Sequence, residues 1–242
     1  MLQRTTLVTG ASRPLGIEFV RQCLERGDQV IAASRSPARV PVLADLRAKY
    51  GSLELLALDP ADAASVAEAM PILENITRTI DLLIIAPAET GPHEKISDTE
   101  RDAHLETLSA TALVEHYRRH AVAPVLMART LLPWLNQAES ARILLVSSWL
   151  GSLAGKTQGG DYAVCASAAA LHMLGRALAH DVANQGMTVC LGNPGKFAVS
   201  PYAIPMTISI EASAGGLLNA VDQLPAEKTG AFVDWNGNER AW

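Results

Sequence analysis

Residues 5–19 read TTLVTGASRPLGIEF, and this stretch decides which fold the rest of the chain can join. A short apolar run comes first, and Gly10 and Gly16 then bracket a tight turn into a segment with helical spacing. A turn of this kind lets the backbone approach a pyrophosphate and points the positive end of the helix at it. The stretch therefore predicts a strand, a phosphate-binding turn and a helix from about Gly16 to Arg26.

Short apolar runs recur along the chain, and segments with helical spacing separate them. Continuous Val, Ile and Leu runs are typical of strands buried on both faces of a parallel sheet. The pattern predicts an α/β fold, a single Rossmann-type domain over residues 1–242 with a doubly wound, mostly parallel seven-stranded sheet and helices on both faces. The runs cover residues 5–10, 29–35, 53–59, 81–86, 142–148, 188–192 and 231–234.

Composition and charge exclude several classes of function. A formal net charge of -5 and a pI near 5.7 argue against capture of nucleic acid or an anionic membrane. The N-terminus runs straight into a strand pattern without a signal-peptide pattern, so we expect a cytoplasmic protein. No apolar run long enough for a membrane span is free of charges or helix breakers, so no membrane segment is expected.

The three cysteines lack the spacing of a metal site. Cys23, Cys165 and Cys190 lie in apolar, periodic surroundings, which favours buried reduced thiols over a disulfide or zinc. No metal site is predicted.

The end of the second strand bears on which nucleotide the turn would bind. The dinucleotide-binding pattern usually places an acid there, to hold the ribose 2′-hydroxyl. Here the strand ends in Ala33-Ser34-Arg35, and Arg13 lies in the glycine turn. Two guanidiniums would suit a 2′-phosphate, which favours NADP(H) over NAD(H). Alternatively, both arginines are ordinary solvated charges.

The turn resembles that of the short-chain dehydrogenase/reductase family, T-G-x-x-x-G-x-G, with Pro14 replacing the middle glycine. Proline removes one N–H and fixes φ, so it alters the phosphate cradle and weakens the expected NADP(H) binding. The resemblance spans the chain and is closest to the C-signal (C-factor) and sniffer-like branch. The segments that carry it are AVAPVLMARTLLPWL (121–135), EASAGGLLNAVDQL (211–224), GAFVDWNGNERAW (230–242) and the Pro194-Gly195 pair.

The resemblance implies a cofactor site at the carboxyl ends of the strands. Asp59 matches the family's aspartate that contacts adenine, although an ordinary helix N-cap explains it equally well. The implied cofactor-binding residues are Gly10, Ser12, Arg13, Leu15, Gly16, Arg35, Asp59, Pro194 and Gly195.

The family's catalytic residues are a tyrosine that exchanges a proton, a lysine that lowers the tyrosine pKa, and a serine that orients the substrate. Ser148 matches the serine, and the spacing of the branch then places the tyrosine at Val164 and the lysine at Ala168. The alternative register takes Tyr162 as the tyrosine and puts Ala166 at the lysine. We prefer the first register because it aligns the rest of the helix, and neither register retains the amine.

Other positions of the family site have changed as well. The N-N-A-G motif after the fourth strand falls on residues 85–88, which read IAPA and so lack its asparagines. The asparagine of the helix before the fifth strand falls on His120, so only Ser148 remains of the four catalytic positions. Lys156 and Lys196 could approach the cleft, but solvated loop charges explain them as well.

These observations favour a protein that binds NADP(H) or a related nucleotide without the Tyr/Lys proton relay, and so serves in binding or regulation. The alternative is a divergent NADP-dependent carbonyl oxidoreductase that uses Ser148 with Tyr162 or His120. A scaffold that binds no nucleotide is a third reading. The short lid segment 196–210 suggests a small apolar cleft, and the expected ligand is a nucleotide or a small apolar metabolite. The resemblance implies a homodimer through helices 4 and 5 (121–135 and 163–179).

Overall fold

A computed structural model describes residues 3–86, 104–196 and 208–242. Seven parallel strands form one sheet in the order β3-β2-β1-β4-β5-β6-β7. This confirms the predicted Rossmann-type sheet, and its seven runs all form strands. The strands are β1 (Thr5–Thr9), β2 (Gln29–Ser34), β3 (Leu53–Ala57), β4 (Leu82–Ile85), β5 (Arg142–Val146), β6 (Thr188–Asn193) and β7 (Ala231–Asp234).

Helices cover both faces of this sheet. Those described are α1 (Pro14–Glu25), α2 (Pro41–Lys49), α3 (Ala63–Ile76), α4 (Ala110–Tyr117), α5 (Ala123–Leu135), α6 (Tyr162–Ala183) and α7 (Ile210–Gln223). A π-helical turn, Arg118–Val122, joins α4 to α5, and 3-10 turns lie at Pro37–Arg39, Leu105–Thr107, Trp149–Gly151 and Ala226–Lys228.

Alternate residues of each strand enter two separate apolar cores, because successive side chains in a strand point to opposite faces. Leu7 packs with helices α3, α5 and α6, whereas Val8 packs with α1, α2 and α7. Ile143 and Leu144 of β5 divide in the same way. The continuous apolar runs in the sequence are therefore the two buried faces of one sheet read together.

Helix α6 is long and apolar enough to cross a membrane by length and composition, although it contains Gly175 and Arg176. Its residues Leu171, Leu178 and Ala179 pack into one of the two cores. A core helix passes the same test, so this helix is weak evidence for a membrane span.

His172, on the buried side of α6, has an unusual environment. Only 3% of the residue is exposed, and its ring lies 4.1 Å from that of Phe232 and 5.5 Å from that of Trp242. Within the described part of the chain neither ring nitrogen forms a hydrogen bond of normal geometry, although the Gly151 backbone lies beside the ring. Burial lowers the pKa of His172 to about 4, so the folded protein holds a neutral imidazole.

We expect His172→Leu to reduce the acid sensitivity of the fold. The unfolded imidazole binds a proton below pH about 6.5 and the folded one only below about 4. Stability therefore falls as the pH drops through that window, and His172 accounts for about 3 kcal/mol of the loss. Urea unfolding at several pH values measures the effect, with exposed His180→Gln as the control. Equal acid sensitivity of the His172 variant and the wild type would contradict the prediction.

Candidate functional site

A cleft opens at the carboxyl ends of β1, β2, β3 and β4, where ligands bind in open parallel sheets. Its walls come from the ends of these strands, from the glycine turn and from the start of α5. The lining residues are Thr9, Gly10, Ser12, Arg13, Ser34, Arg35, Leu58, Asp59, Pro60, Ala61, Ile85, Ala86, Arg119, Ala123 and Pro124. Five of the nine cofactor-binding residues expected from the sequence therefore line one cleft: Gly10, Ser12, Arg13, Arg35 and Asp59.

The glycine turn needs both of its glycines. Gly10 has φ +66, and a Cβ there would lie 2.8 Å from the Ala86 oxygen. A Cβ at Gly16 would lie 2.2 Å from the Gly10 oxygen, closer than any side chain could be placed. The start of the helix and the turn are therefore in direct backbone contact. Because neither glycine carries a side chain, the floor of the cleft stays open to a ligand.

Pro14 is the first residue of α1, where a backbone N–H has no acceptor within the helix. Proline is therefore compatible with the helix and removes only one of the donors at its positive end. The neighbouring Leu15 is 5% exposed and packs in the core, so only its backbone can face a cofactor.

Asp59 is not a helix N-cap, because Asp62 caps α3 by accepting from the Ala64 amide. Asp59 accepts instead from the Ala61 amide at 2.9 Å, and its own amide donates to the Ser65 hydroxyl at 2.9 Å. These bonds fix the loop after β3, and Asp59 faces the cleft together with Arg13 and Arg35. The cleft therefore combines one acid with several guanidiniums.

Arg118 and Arg119 are functional candidates that the sequence reasoning missed. Arg119 lines the cleft, and the Arg118 guanidinium donates to the Ala61 oxygen on the opposite wall. Both arginines also bind the Glu115 carboxylate. The sequence spacing could predict these ion pairs, but only the π-helical turn and the fold bring them to the cleft.

Ser148 lies two residues after the end of β5 and caps the 3-10 turn Trp149–Gly151, where its hydroxyl accepts from the Leu150 amide at 3.2 Å. Asn193, at the end of β6, fixes the next residue. Its Oδ1 accepts from the Trp149 amide at 3.1 Å and its Nδ2 donates to Asp234 at 2.6 Å. Asn193 is buried and was not predicted from the sequence, although it directly precedes the Pro194-Gly195 pair.

Helix α6 begins at Tyr162, after Asp161 in a left-handed conformation with φ 53. Ala168 is 7% exposed and lies against Gly151, at which a Cβ would come within 2.7 Å of the Ala168 carbonyl carbon. Ala166, in contrast, is exposed. The helix face that carries Ala168 therefore meets the turn that begins at Ser148, and the face that carries Ala166 does not.

His120 lies in the π-helical turn and is half-buried, with its ring 5.1 Å from that of His116. Burial, followed by the nearby His116 and Arg119 charges, lowers the pKa of His120 to about 4. Its imidazole is neutral at pH 7. Within residues 3–86, 104–196 and 208–242, no hydrogen bond joins Ser148, Tyr162 and His120 to one another.

Two lysines near Ser148 make contacts of their own. Lys156 Nζ donates to the Gly160 oxygen at 2.8 Å and lies 3.2 Å from Cys165 Sγ. Lys196 Nζ lies 5.5 Å from the centre of the Trp149 ring. Both lysines are exposed, which agrees with the interpretation as solvated loop charges. Lys156 also contacts Gly160 and Cys165, and Lys196 lies over the Trp149 ring.

The cysteines differ from one another. Cys23 and Cys190 are buried, and burial raises the pKa of each thiol to about 12, as expected for inert core thiols. Cys165 is only half-buried, so the prediction that all three are buried is wrong for it. It lies in the first turn of α6 beside the loop that carries Lys156. Among the described residues no cluster of ligands could hold a metal ion.

Part of the predicted site lies outside the described residues. Ile85 and Ala86, which replace the first two residues of the N-N-A-G motif, are buried at the end of β4 and line the cleft. Pro87, Ala88 and most of the segment 196–210 lie outside.

Comparisons with known proteins agree with this geometry. The family model "short chain dehydrogenase" matches residues 4–206. The C-signal protein of Myxococcus xanthus is 34% identical over 123 residues, which is 51% of this chain and 74% of that protein. A 1-hydroxy-2-glutathionyl-2-methyl-3-butene dehydrogenase from Rhodococcus is 26% identical over 249 residues, covering 98% of this chain and 99% of that protein.

Solved structures resemble the whole chain. NADPH-bound carbonyl reductase from chicken fatty liver superposes with a TM-score of 0.88 at 27% identity, covering 100% of both chains. A Pseudomonas aeruginosa carbonyl reductase in complex with NADP has a TM-score of 0.81 at 25% identity, covering 99% of this chain and 100% of that one.

Proposed function

The chain belongs to the short-chain dehydrogenase family, and on that premise we propose that it binds NADP(H) but lacks the proton relay of the family. It would act as a non-catalytic or weakly active binding or regulatory protein. The nucleotide would lie in the cleft at the carboxyl ends of β1 to β4. When bound, NADPH can supply a hydride to a carbonyl group, and the residues of this chain decide whether a proton accompanies it.

The observation that carries the nucleotide assignment is the pair of arginines at the adenosine end of the cleft. Arg35 stands where an acid would hold a ribose hydroxyl, and Arg13 lines the same cleft. A ribose phosphate offers each guanidinium a charge-assisted, bidentate contact. Gly10 and Gly16 leave the space that a pyrophosphate needs beside the backbone, and relatives of the same fold are bound to NADPH and NADP.

The absence of an amine at the inherited lysine position supports the non-catalytic half of the proposal. Ala168 lies against the turn that begins at Ser148, and Val164 lies one helical turn before it. A lone serine at that site can orient a carbonyl oxygen. Its hydroxyl is too weak an acid at neutral pH to donate a proton to that oxygen and then regain one. Hydride transfer would then leave an alkoxide that neither Val164 nor Ala168 can protonate.

The second candidate is a divergent NADP-dependent carbonyl oxidoreductase. Its support is the retention of Ser148 and the likeness to carbonyl reductases. Tyr162 or His120 would have to provide the proton, assisted by water. His120, with its lowered pKa, is neutral at pH 7 and so carries no imidazolium proton to donate there.

The remaining features of the proposal concern partners and location. The predicted interface helices, 121–135 and 163–179, correspond to α5 and α6, and their outer faces carry the exposed apolar side chains Leu126 at 42% and Met173 at 69%. A second copy of the chain, packed through these helices as a homodimer, would cover them. A small apolar metabolite is the proposed second ligand, and the cytoplasm is the proposed location.

NADPH is expected to raise the melting temperature by roughly 5–10 °C at a concentration of about a hundred times its Kd. NADH should give a much smaller shift, because it lacks the phosphate that Arg35 and Arg13 would bind. Arg35→Ala is expected to reduce the NADPH shift to the NADH level, and Arg39→Ala, outside the cleft lining, serves as the matched control. If neither nucleotide shifts melting at millimolar concentration, only the scaffold reading remains.

A further inference from the structure

The π-helical turn Arg118–Val122 brings an organised cluster of charges to the rim of the cleft. Glu115 lies three residues before Arg118 and four before Arg119, so all three side chains share one face of the helix. The Glu115 carboxylate accepts from both guanidiniums. These bonds, Arg118 first, hold the pKa of Glu115 at about 2, so the carboxylate stays ionised.

Arg118 spans the rim. Its guanidinium donates to the Ala61 oxygen in the loop after β3, while Asp59 and Asp62 of that loop add attractive charge. The end of α4 is thereby tied to the opposite wall. This bridge sets the position of the adjoining Arg119 relative to the cleft.

Arg119 is held by one edge. Its Nε donates to Glu115, and 42% of its side chain is exposed at the cleft. A guanidinium bound along an edge keeps its flat face available for stacking on an aromatic ring. The π-helical geometry is frequent at functional sites, since the extra residue re-aims neighbouring side chains.

The surroundings of Arg119 distinguish a base from a phosphate. Ala123 lies one helical turn after Arg119, and Pro60 and Ala61 belong to the loop that Arg118 contacts; these residues and Ala86, all apolar or small, line the cleft. Ser34 and Arg35, by contrast, lie at the end of β2, and Arg13 lies in the glycine turn just before α1. A flat apolar base suits the first set and a ribose phosphate suits the second.

We propose that Arg119 is a specificity-determining residue that stacks its guanidinium on the adenine ring, held in place by Glu115 and flanked by the Arg118 bridge to Ala61. This inference rests on the proposed function, because it assumes that an adenine nucleotide occupies the cleft. It assigns Arg119 to the base, which NADPH and NADH share, and Arg35 to the phosphate, which only NADPH has.

Calorimetric titration of NADPH, NADH and ADP tests this division. Arg119→Met keeps the aliphatic stem and removes the charged plane, and should weaken all three ligands by the same factor, roughly five- to thirtyfold. Arg119→Lys keeps the charge without the planar face, and should recover less than half of that loss in free energy. Arg129→Met, an exposed arginine on α5 outside the cleft lining, is the matched control and should bind like the wild type.

Three results would overturn the inference. Unchanged affinities in Arg119→Met, or a loss confined to NADPH, would remove Arg119 from the base and leave the proposed function standing. A wild type that binds none of the three ligands would refute the proposed function and this inference together. Because Arg119 is a surface side chain, the variant should melt within about 2 °C of the wild type without ligand, which separates lost binding from lost folding.

Discussion

The double variant Val164→Tyr, Ala168→Lys is expected to oxidise NADPH with an aromatic aldehyde or a quinone at least a hundredfold faster than the wild type. A tyrosine with a pKa near 10 is a poor proton relay at neutral pH, and a nearby ammonium lowers that pKa. Position 168 faces the turn that begins at Ser148, and position 164 lies one helical turn before it on the same face, so we expect both introduced groups to face that turn. NADPH absorbance, followed with and without the carbonyl compound, measures the gain.

Single variants and the other register provide the controls. Val164→Tyr alone and Ala168→Lys alone should each stay below a tenth of the double variant's rate, because the phenol and the amine act as a unit. Ala166→Lys pairs an amine with the natural Tyr162, and it should give no gain because position 166 is exposed. Activity in Ala166→Lys with none in the double variant would show that the register is wrong.

Gly16→Ala is expected to abolish nucleotide binding and to lower the unfolding free energy by about 1–3 kcal/mol. A Cβ at this position would lie 2.2 Å from the Gly10 oxygen and 2.8 Å from the Gly10 carbonyl carbon. Both are backbone atoms, so the clash cannot be relieved by a side-chain rotation. The turn must open, which moves the helix start away from the pyrophosphate position.

Gly51→Ala is the matched control for this substitution. A Cβ at Gly51 would meet nothing within 4 Å, so its stability and nucleotide binding should match those of the wild type. Thermal melting with and without NADPH reads both effects in one experiment. A Gly16→Ala variant that melts and binds normally would mean that the turn does not approach the cofactor.

The sequence was sufficient for the sheet because the signal there is local. Each strand is a continuous apolar run, and the two cores on either side of β1 require both Leu7 and Val8 to be apolar. The glycine turn is equally local, since the contact of Gly16 with Gly10 lies within seven consecutive residues. The start of α1 was misplaced by two residues because Pro14, interpreted as a disturbance of the turn, is the first residue of the helix.

Contacts between distant segments were not predictable in the same way. Asn193 joins the residue after Ser148 to Asp234, and nothing in the spacing of these residues along the chain reveals that their strand ends are neighbours. Arg118 reaches Ala61 across the cleft only because a π-helical turn and a loop face each other. The apolar neighbours of Cys165 in the sequence predicted a buried thiol. Its position on the helix instead places the thiol next to Lys156.

The proposal that the chain binds NADPH without oxidising it is tested most directly by measuring binding and NADPH oxidation in the same sample. Wild-type protein is mixed with saturating NADPH and a quinone or aldehyde, its melting temperature is recorded, and NADPH absorbance is followed for hours. The account predicts a rise of several degrees in melting temperature and NADPH consumption at most slightly above the protein-free rate. Steady NADPH oxidation that Ser148→Ala abolishes would contradict it.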